Sequence, residues 1–230
     1  MVKKMKEKIK IGIIDDEFEK QSSISAKLQR KFTDDVNKFE EVFDHYELIP
    51  VIMDLPGTKE EIINSIKNGG IDCLIVDYKL SNKSSINYTG TELASFINDV
   101  LVDFPLFILT SHEQDLYTRT TFNTYQVFDF DRYSNDDTEN YELNYKIIQQ
   151  VLNYRKKVEE WDRELKELEV LSGTSADIDD RILTLNKNLA GVYSSDPNYS
   201  LARRAAFTSS KMENFLIELS KLVEDIESNR

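Results

Sequence analysis

Residues 8–17 read KIKIGIIDDE, a short apolar run that ends abruptly in three acidic side chains. Residues 71–77 repeat the pattern as IDCLIVD, and this second run ends in Asp77. Short runs that are apolar on both faces are typical of strands buried between two layers of helices. These two stretches therefore predict two strands of a parallel sheet, each followed by an acid.

Three further apolar runs repeat this pattern, at residues 46–53, 105–109 and, more weakly, 126–130. Stretches with helical spacing separate the runs. One of these helices is predicted to begin after Thr58, with Glu61 in the position of a capping box. Five apolar runs separated by helical stretches predict β-α-β units around a five-stranded, doubly wound parallel sheet of the α/β class.

The last hundred residues follow a different period. From residue 147 to 168 the apolar positions keep a 4-3 spacing for about three heptads, which predicts a long helix. The segment SGTS at residues 172–175 interrupts it, and a second helical series covers residues 178–192. A third helix is expected from about Ser209, after a loop around Pro197. This region therefore predicts an α-helical hairpin or a three-helix bundle.

The predicted domain boundary lies where the period changes. Residues 1–136 form the α/β domain, and its last helix is expected to continue to about residue 171. Residues 137–230 form a helical coiled-coil or bundle module for output and interaction. The heptad pattern leaves open whether the helices pair within one chain or in a homodimer.

The charge balance limits the classes of partner. The chain has 230 residues, with 42 Asp+Glu against 29 Lys+Arg and a formal net charge of −13. An acidic surface repels phosphate backbones, so we expect no nucleic-acid partner. A single cysteine, Cys73, excludes an internal disulfide and a cysteine-based metal cage. No apolar run approaches the ~18 residues of a membrane span and no signal peptide is evident, so we expect a cytoplasmic protein without membrane contact.

The residues that follow the predicted strands indicate the chemistry of the site. Parallel sheets gather functional groups at the carboxyl ends of their strands, where Asp15, Asp16, Asp77, Thr110 and Ser111 are expected to meet. Carboxylate oxygens suit a hard divalent cation such as Mg²⁺. A carboxylate can also act as a nucleophile toward a phosphoryl group, with a hydroxyl and a cation holding the phosphoryl oxygens.

Four segments strongly resemble the receiver domain of two-component response regulators. They are IGIIDDE at 11–17, CLIVDYKL at 73–80, GTELASFI at 90–97 and PLFILTS at 105–111. The segments follow the order of that family and cover roughly residues 8–145. The resemblance implies a flavodoxin-like receiver fold, Mg²⁺ as cofactor and a histidine kinase as the phosphoryl donor.

The resemblance also implies roles for individual residues. Asp77 matches the phosphoacceptor aspartate, and Thr110 matches the hydroxyl that turns toward the phosphoryl group, with Ser111 beside it. The implied metal ligands are Asp15, Asp16, Asp77 and the backbone carbonyl of Lys79.

The chain departs from the family near the fifth predicted strand. Residues 127–133 read VFDFDRY, without the Lys-Pro pair that is usual there. Counting forward from the fourth strand, Arg132 falls about where the lysine belongs and could pair with phosphate, whereas Asp131 beside it would repel phosphate. Phe130 and Phe128 both match the position of the switch aromatic. A site in which switching is weakened is the alternative.

These features predict a two-component response regulator that is phosphorylated on Asp77 in a Mg²⁺-dependent manner. Its output would be a protein–protein interaction of the C-terminal helices with an unidentified effector, not DNA binding. The alternative is a phosphorylation-independent scaffold with a receiver-like fold. Hydrolysis of external phosphate esters is not favoured, because no Asp-x-Asp pair follows the first strand.

Overall fold

The computed structural model describes residues 6–31, 40–55, 57–80, 86, 88–111 and 126–193. The described strands are β1 (Glu7–Ile14), β2 (Tyr46–Ile52), β3 (Cys73–Val76), β4 (Leu106–Thr110) and β5 (Val127–Asp129). The described helices are α1 (Phe18–Leu28), α2 (Glu40–His45), α3 (Lys59–Gly69), α4 (Gly90–Val100), α5 (Phe130–Asn135), α6 (Asp137–Glu169) and α7 (Ala176–Tyr193).

The five strands form one sheet in the order β2-β1-β3-β4-β5, and every neighbouring pair is parallel. The five apolar runs of the sequence are these five strands, which confirms the predicted α/β class and parallel sheet. The strand order is consistent with a flavodoxin-like fold. Because all strands point the same way, their carboxyl ends lie at one edge of the sheet.

The core lies on both faces of the sheet because alternate residues of each strand point to opposite sides. In β1, Ile9, Ile11 and Ile13 pack with α1 and the first half of α6, whereas Ile14 packs with α3 and α4. The residues of β3 divide in the same way, with the buried Cys73 on the α1 side. Helices therefore cover both faces, which explains why the strands are apolar on both sides.

Helix capping differs from the predicted pattern at α3. Thr58 is the N-cap residue of α3, but its side chain makes no capping hydrogen bond. A capping box is present instead at the start of α4, where Thr89 accepts from the Glu92 amide and the Glu92 side chain accepts from the Thr89 amide. At its other end α3 stops at Gly70, which adopts the left-handed conformation with φ of 59°.

The helical region begins with the 33-residue helix α6. A turn at Gly173 separates it from α7, in agreement with the predicted interruption at residues 172–175. The chain divides into two compact units at Lys157 and Val158, so the first half of α6 belongs to the α/β unit. The third helix expected from Ser209 lies outside the described residues.

Within the described parts of the chain, no helix combines the length and the apolar character that a membrane crossing requires.

Candidate metal centre at the carboxyl edge of the sheet

The ends of β1 and β3 lie side by side and bring three acids together. Ile14 and Val76 are register partners, and the Asp77 amide continues the ladder by donating to the Ile14 carbonyl at 2.8 Å. Asp15 and Asp77 therefore leave adjacent strands at the same level. One carboxylate oxygen from each of Asp15, Asp16 and Asp77 lies within 4.8 Å of the others.

Asp15 is held rigidly and is almost completely buried, with 2% of its surface exposed. Its Oδ1 accepts from the Glu17 amide at 2.7 Å, and the Gln21 side chain donates to its backbone carbonyl at 2.6 Å. Its Oδ2 is buried without a hydrogen-bond partner. Burial raises the pKa of Asp15 to about 7; the Glu17 amide opposes this rise, and the charge of Asp77 adds to it.

Asp77 is the second buried carboxyl group, with 4% of its surface exposed. Its Oδ2 accepts from the Lys79 amide at 3.0 Å. Burial raises the pKa of Asp77, and the positive charge of Lys20 is the largest influence in the opposite direction. The Lys79 side chain is exposed, so this residue reaches the site through its backbone.

The three carboxylates fit a small divalent cation. A buried oxygen without a hydrogen-bond partner costs free energy, and a cation bound to Asp15 Oδ2 would remove that cost. The same cation would offset the repulsion among the three carboxylates. An all-oxygen ligand set matches Mg²⁺, which rests on a few carboxylates and retains water.

The predicted hydroxyl residues follow β4, the strand next to β3. Thr110 is the last residue of β4 and is fully buried, whereas Ser111 is exposed. Ile108 is the register partner of Val76, so Thr110 ends its strand at the same edge as the acids.

At the end of β5 an acid lies next to Thr110. Asp129, not a cation, is the register partner of Thr110. The Asp129 carboxylate is the N-cap of α5 and accepts from the Arg132 amide at 2.8 Å. Arg132 itself is exposed on α5. Phe130, the first residue of α5, is half-buried and packs with Phe128 against the α1 side of the core.

A cation that the sequence analysis did not single out lies at the site. Lys20, in the first turn of α1, pairs with Glu17 at 3.0 Å and keeps 17% of its side chain exposed. Its Nζ lies 5.9 Å from the centre of the Phe130 ring. The sequence holds a local signal for this residue, because Lys20 stands one helical turn after the acidic pair Asp15-Asp16.

Neither a comparison with protein-family models nor a search of curated proteins found a match for this chain.

Proposed function

We propose that this chain is a signalling protein whose α/β domain accepts a phosphoryl group on Asp77 from a histidine kinase, with Mg²⁺ as cofactor. One observation carries the proposal: Asp15, Asp16 and Asp77 converge at the carboxyl edge of the sheet, and an oxygen of Asp15 is buried there without a hydrogen-bond partner. Thr110, at the end of the next strand, adds the hydroxyl that phosphoryl chemistry requires.

The chemistry follows from these groups. A carboxylate oxygen of Asp77 attacks the phosphorus atom of a phosphorylated imidazole, an O–P bond forms, and the N–P bond breaks with its electron pair left on nitrogen. The Lys79 amide orients the Asp77 carboxylate, because it donates to Oδ2 at 3.0 Å. Bound Mg²⁺ would supply positive charge to the phosphoryl oxygens.

The response would reach the partner through packing changes. A phosphoryl group adds about two negative charges and three acceptor oxygens. The Thr110 hydroxyl is the group on β4 that can donate to them, and its movement would repack the face formed by β4, β5 and the neighbouring helices. Because α6 begins just past that face, its pairing with a protein effector or with a second copy of this chain is the proposed output.

A second candidate is a phosphorylation-independent scaffold with the same fold. The end of β5 favours it, because the register partner of Thr110 is the acidic Asp129 and Arg132 is exposed. In that case the helical region would bind its partner constitutively.

Intact-protein mass after incubation with acetyl phosphate and Mg²⁺ separates the two candidates. We expect one phosphoryl increment in the wild-type protein and none in Asp77→Asn. Asp54→Asn is the matched control, because Asp54 is an exposed aspartate just after β2 and lies outside the acidic cluster. Phosphorylation of Asp77→Asn would refute the site. The absence of any increment in the wild type, with a donor that phosphorylates another receiver, would favour the scaffold.

A further inference from the structure

We propose that Lys20 of α1 is the cation that binds the phosphoryl oxygens on Asp77, in place of a cation from the end of β5. This inference rests on the proposed function, because the phosphoryl group in question is the one that Asp77 accepts. The position of Lys20 in the folded chain is the basis for assigning it this role in binding the phosphoryl oxygens.

The position of Lys20 is the first argument. Lysine side chains are rarely buried, yet 83% of the Lys20 side chain is removed from solvent, since only 17% remains exposed. Two contacts hold it there. The Glu17 carboxylate lies 3.0 Å from Nζ, and the ring of Phe130 lies at 5.9 Å, within the range of a cation–π contact.

The contact with Phe130 locates Lys20 relative to β5. Phe130 is the first residue after β5, so the contact brings the Lys20 ammonium group to the end of β5, and its ion-pair partner Glu17 directly follows Asp15 and Asp16 in the chain. A cation supplied by β5 would act at the same edge of the sheet. The residues that β5 and α5 offer there include Asp129, which caps α5, and Arg132, which is exposed.

The electrostatic influence of Lys20 reaches both buried acids. Its charge lowers the pKa of Asp77 and of Asp15, against the effect of burial on each group. Burial also acts to lower the pKa of Lys20, but the hydrogen bond to Glu17 and the charges of Asp77 and Asp15 outweigh it and raise the pKa. Lys20 therefore stays protonated, and its charge favours the ionised, nucleophilic form of Asp77.

The chemistry of an ammonium group suits the role. It carries three donors and a compact charge, so it can contact phosphoryl oxygens from a single point. In the structure one donor is directed to Glu17. A phosphoryl group on Asp77 would bring about two negative charges to a site that already holds this cation.

The test compares two lysine variants. Lys20→Met keeps the length of the side chain and removes its charge. Lys59→Met is the matched control, because Lys59 also stands in the first turn of a helix with its Nζ 5.6 Å from an aromatic ring, that of Tyr88, but outside the acidic cluster. For each variant the rate of phosphorylation by acetyl phosphate and the Mg²⁺ affinity of the unphosphorylated protein are measured.

The expected effects of Lys20→Met on the two quantities have opposite signs. Phosphorylation should slow by roughly 100-fold, as for the loss of a donor to a developing anion. Mg²⁺ should bind severalfold more tightly, because a positive charge near its carboxylate ligands is gone. If the substitution merely disturbed the site, both the phosphorylation rate and the Mg²⁺ affinity would fall. Lys59→Met should resemble the wild type in both measurements, and Lys20→Arg should recover part of the rate.

Other outcomes separate the two proposals. If the wild type is phosphorylated and Lys20→Met reacts like Lys59→Met, the role of Lys20 is refuted and the proposed function stands. If Arg132→Met, and not Lys20→Met, slows the reaction, the cation is the one that sequence counting predicts. If the wild type takes no phosphoryl group under these conditions, the proposed function fails, and the inference fails with it.

Discussion

At the scale of single residues, the acidic cluster brings together carboxyl groups whose burial disfavours their charged form. Asp15 and Asp77 are buried, and burial raises the pKa of both carboxyl groups. Burial of a carboxyl group disfavours its ionised form, and a second carboxylate nearby has the same effect. Below about pH 7 the metal-free protein therefore holds a proton on Asp15 that a cation would have to displace, and this predicts that Mg²⁺ binding depends on pH.

We predict that the Mg²⁺ affinity rises with pH up to about 7 and then levels off. The pKa of Asp15 in the metal-free protein is about 7, so below this pH the proton on Asp15 competes with the cation, and above it the carboxylate is already ionised. Each pH unit below 7 should weaken binding by up to about tenfold. Isothermal titration calorimetry in buffers of different ionisation enthalpy measures both the affinity and the number of protons released.

The Asp15→Asn variant is the control for this pH dependence. It should bind Mg²⁺ more weakly at pH 8, because one charged ligand is lost, and its affinity should change less between pH 6 and 7. Binding to the wild type at pH 6 without proton release would contradict the assignment of the raised pKa to Asp15.

At the scale of secondary-structure elements, the N-terminus of α4 packs against the backbone of Asp77, the residue after β3. The Gly90 amide at the start of α4 donates to the Tyr78 carbonyl at 2.9 Å. A Cβ atom at Gly90 would lie 1.9 Å from the Asp77 carbonyl oxygen and 2.9 Å from its carbonyl carbon. Only glycine therefore allows the N-terminus of α4 to approach the backbone of Asp77 this closely.

We predict that Gly90→Ala lowers the free energy of unfolding by about 1–3 kcal/mol, because the clash is with backbone atoms and forces the loop or α4 to shift. The Mg²⁺ affinity should fall with it, since Asp77 would move. Urea denaturation and calorimetry measure the two effects. Gly57→Ala is the control, because a Cβ there meets nothing within 4 Å, and it should be neutral or slightly stabilising. Equal stability of the two variants would contradict the packing argument.

At the scale of the whole molecule, the end of the α/β unit lies inside a helix. The first half of α6 contributes five side chains, each no more than 1% exposed, to the core on the α1 side of the sheet or to the packing beside it: Tyr141, Leu143, Ile147, Ile148 and Val151. Arg155 adds ion pairs to Glu7 at the start of β1 and to Asp72 just before β3, the second at 2.9 Å. The predicted boundary at residue 136 would separate this half-helix from the sheet.

We predict that a fragment of residues 1–157 folds and binds Mg²⁺, whereas a fragment of residues 1–136 does not fold stably. Burial of each large apolar side chain contributes about 1.5–3 kcal/mol. Losing five of them therefore removes about 7.5–15 kcal/mol, as much as the whole stability of about 5–15 kcal/mol of a typical domain. Circular dichroism during thermal unfolding measures this directly. A cooperative transition of the shorter fragment at the wild-type temperature would place the boundary at residue 136.

The sequence was sufficient to predict the strands and the acids that follow them. Strand identity depends on a local pattern of apolar residues, and Asp15 and Asp77 stand directly after such runs. The capping box was less predictable. Thr58 and Thr89 each have a glutamate three residues later, yet of these two only Thr89 closes the motif.

The sequence by itself determined the α/β class, the five strands, the acids that directly follow two of them and the long helix α6, since each follows from the pattern of residues along the chain. The tertiary structure alone decided which groups meet across elements. Strand register places Asp129 opposite Thr110, and the docking of α1 brings Lys20 to Phe130. Strand register and helix docking are set by packing between segments that are far apart in the chain, and no local pattern encodes them.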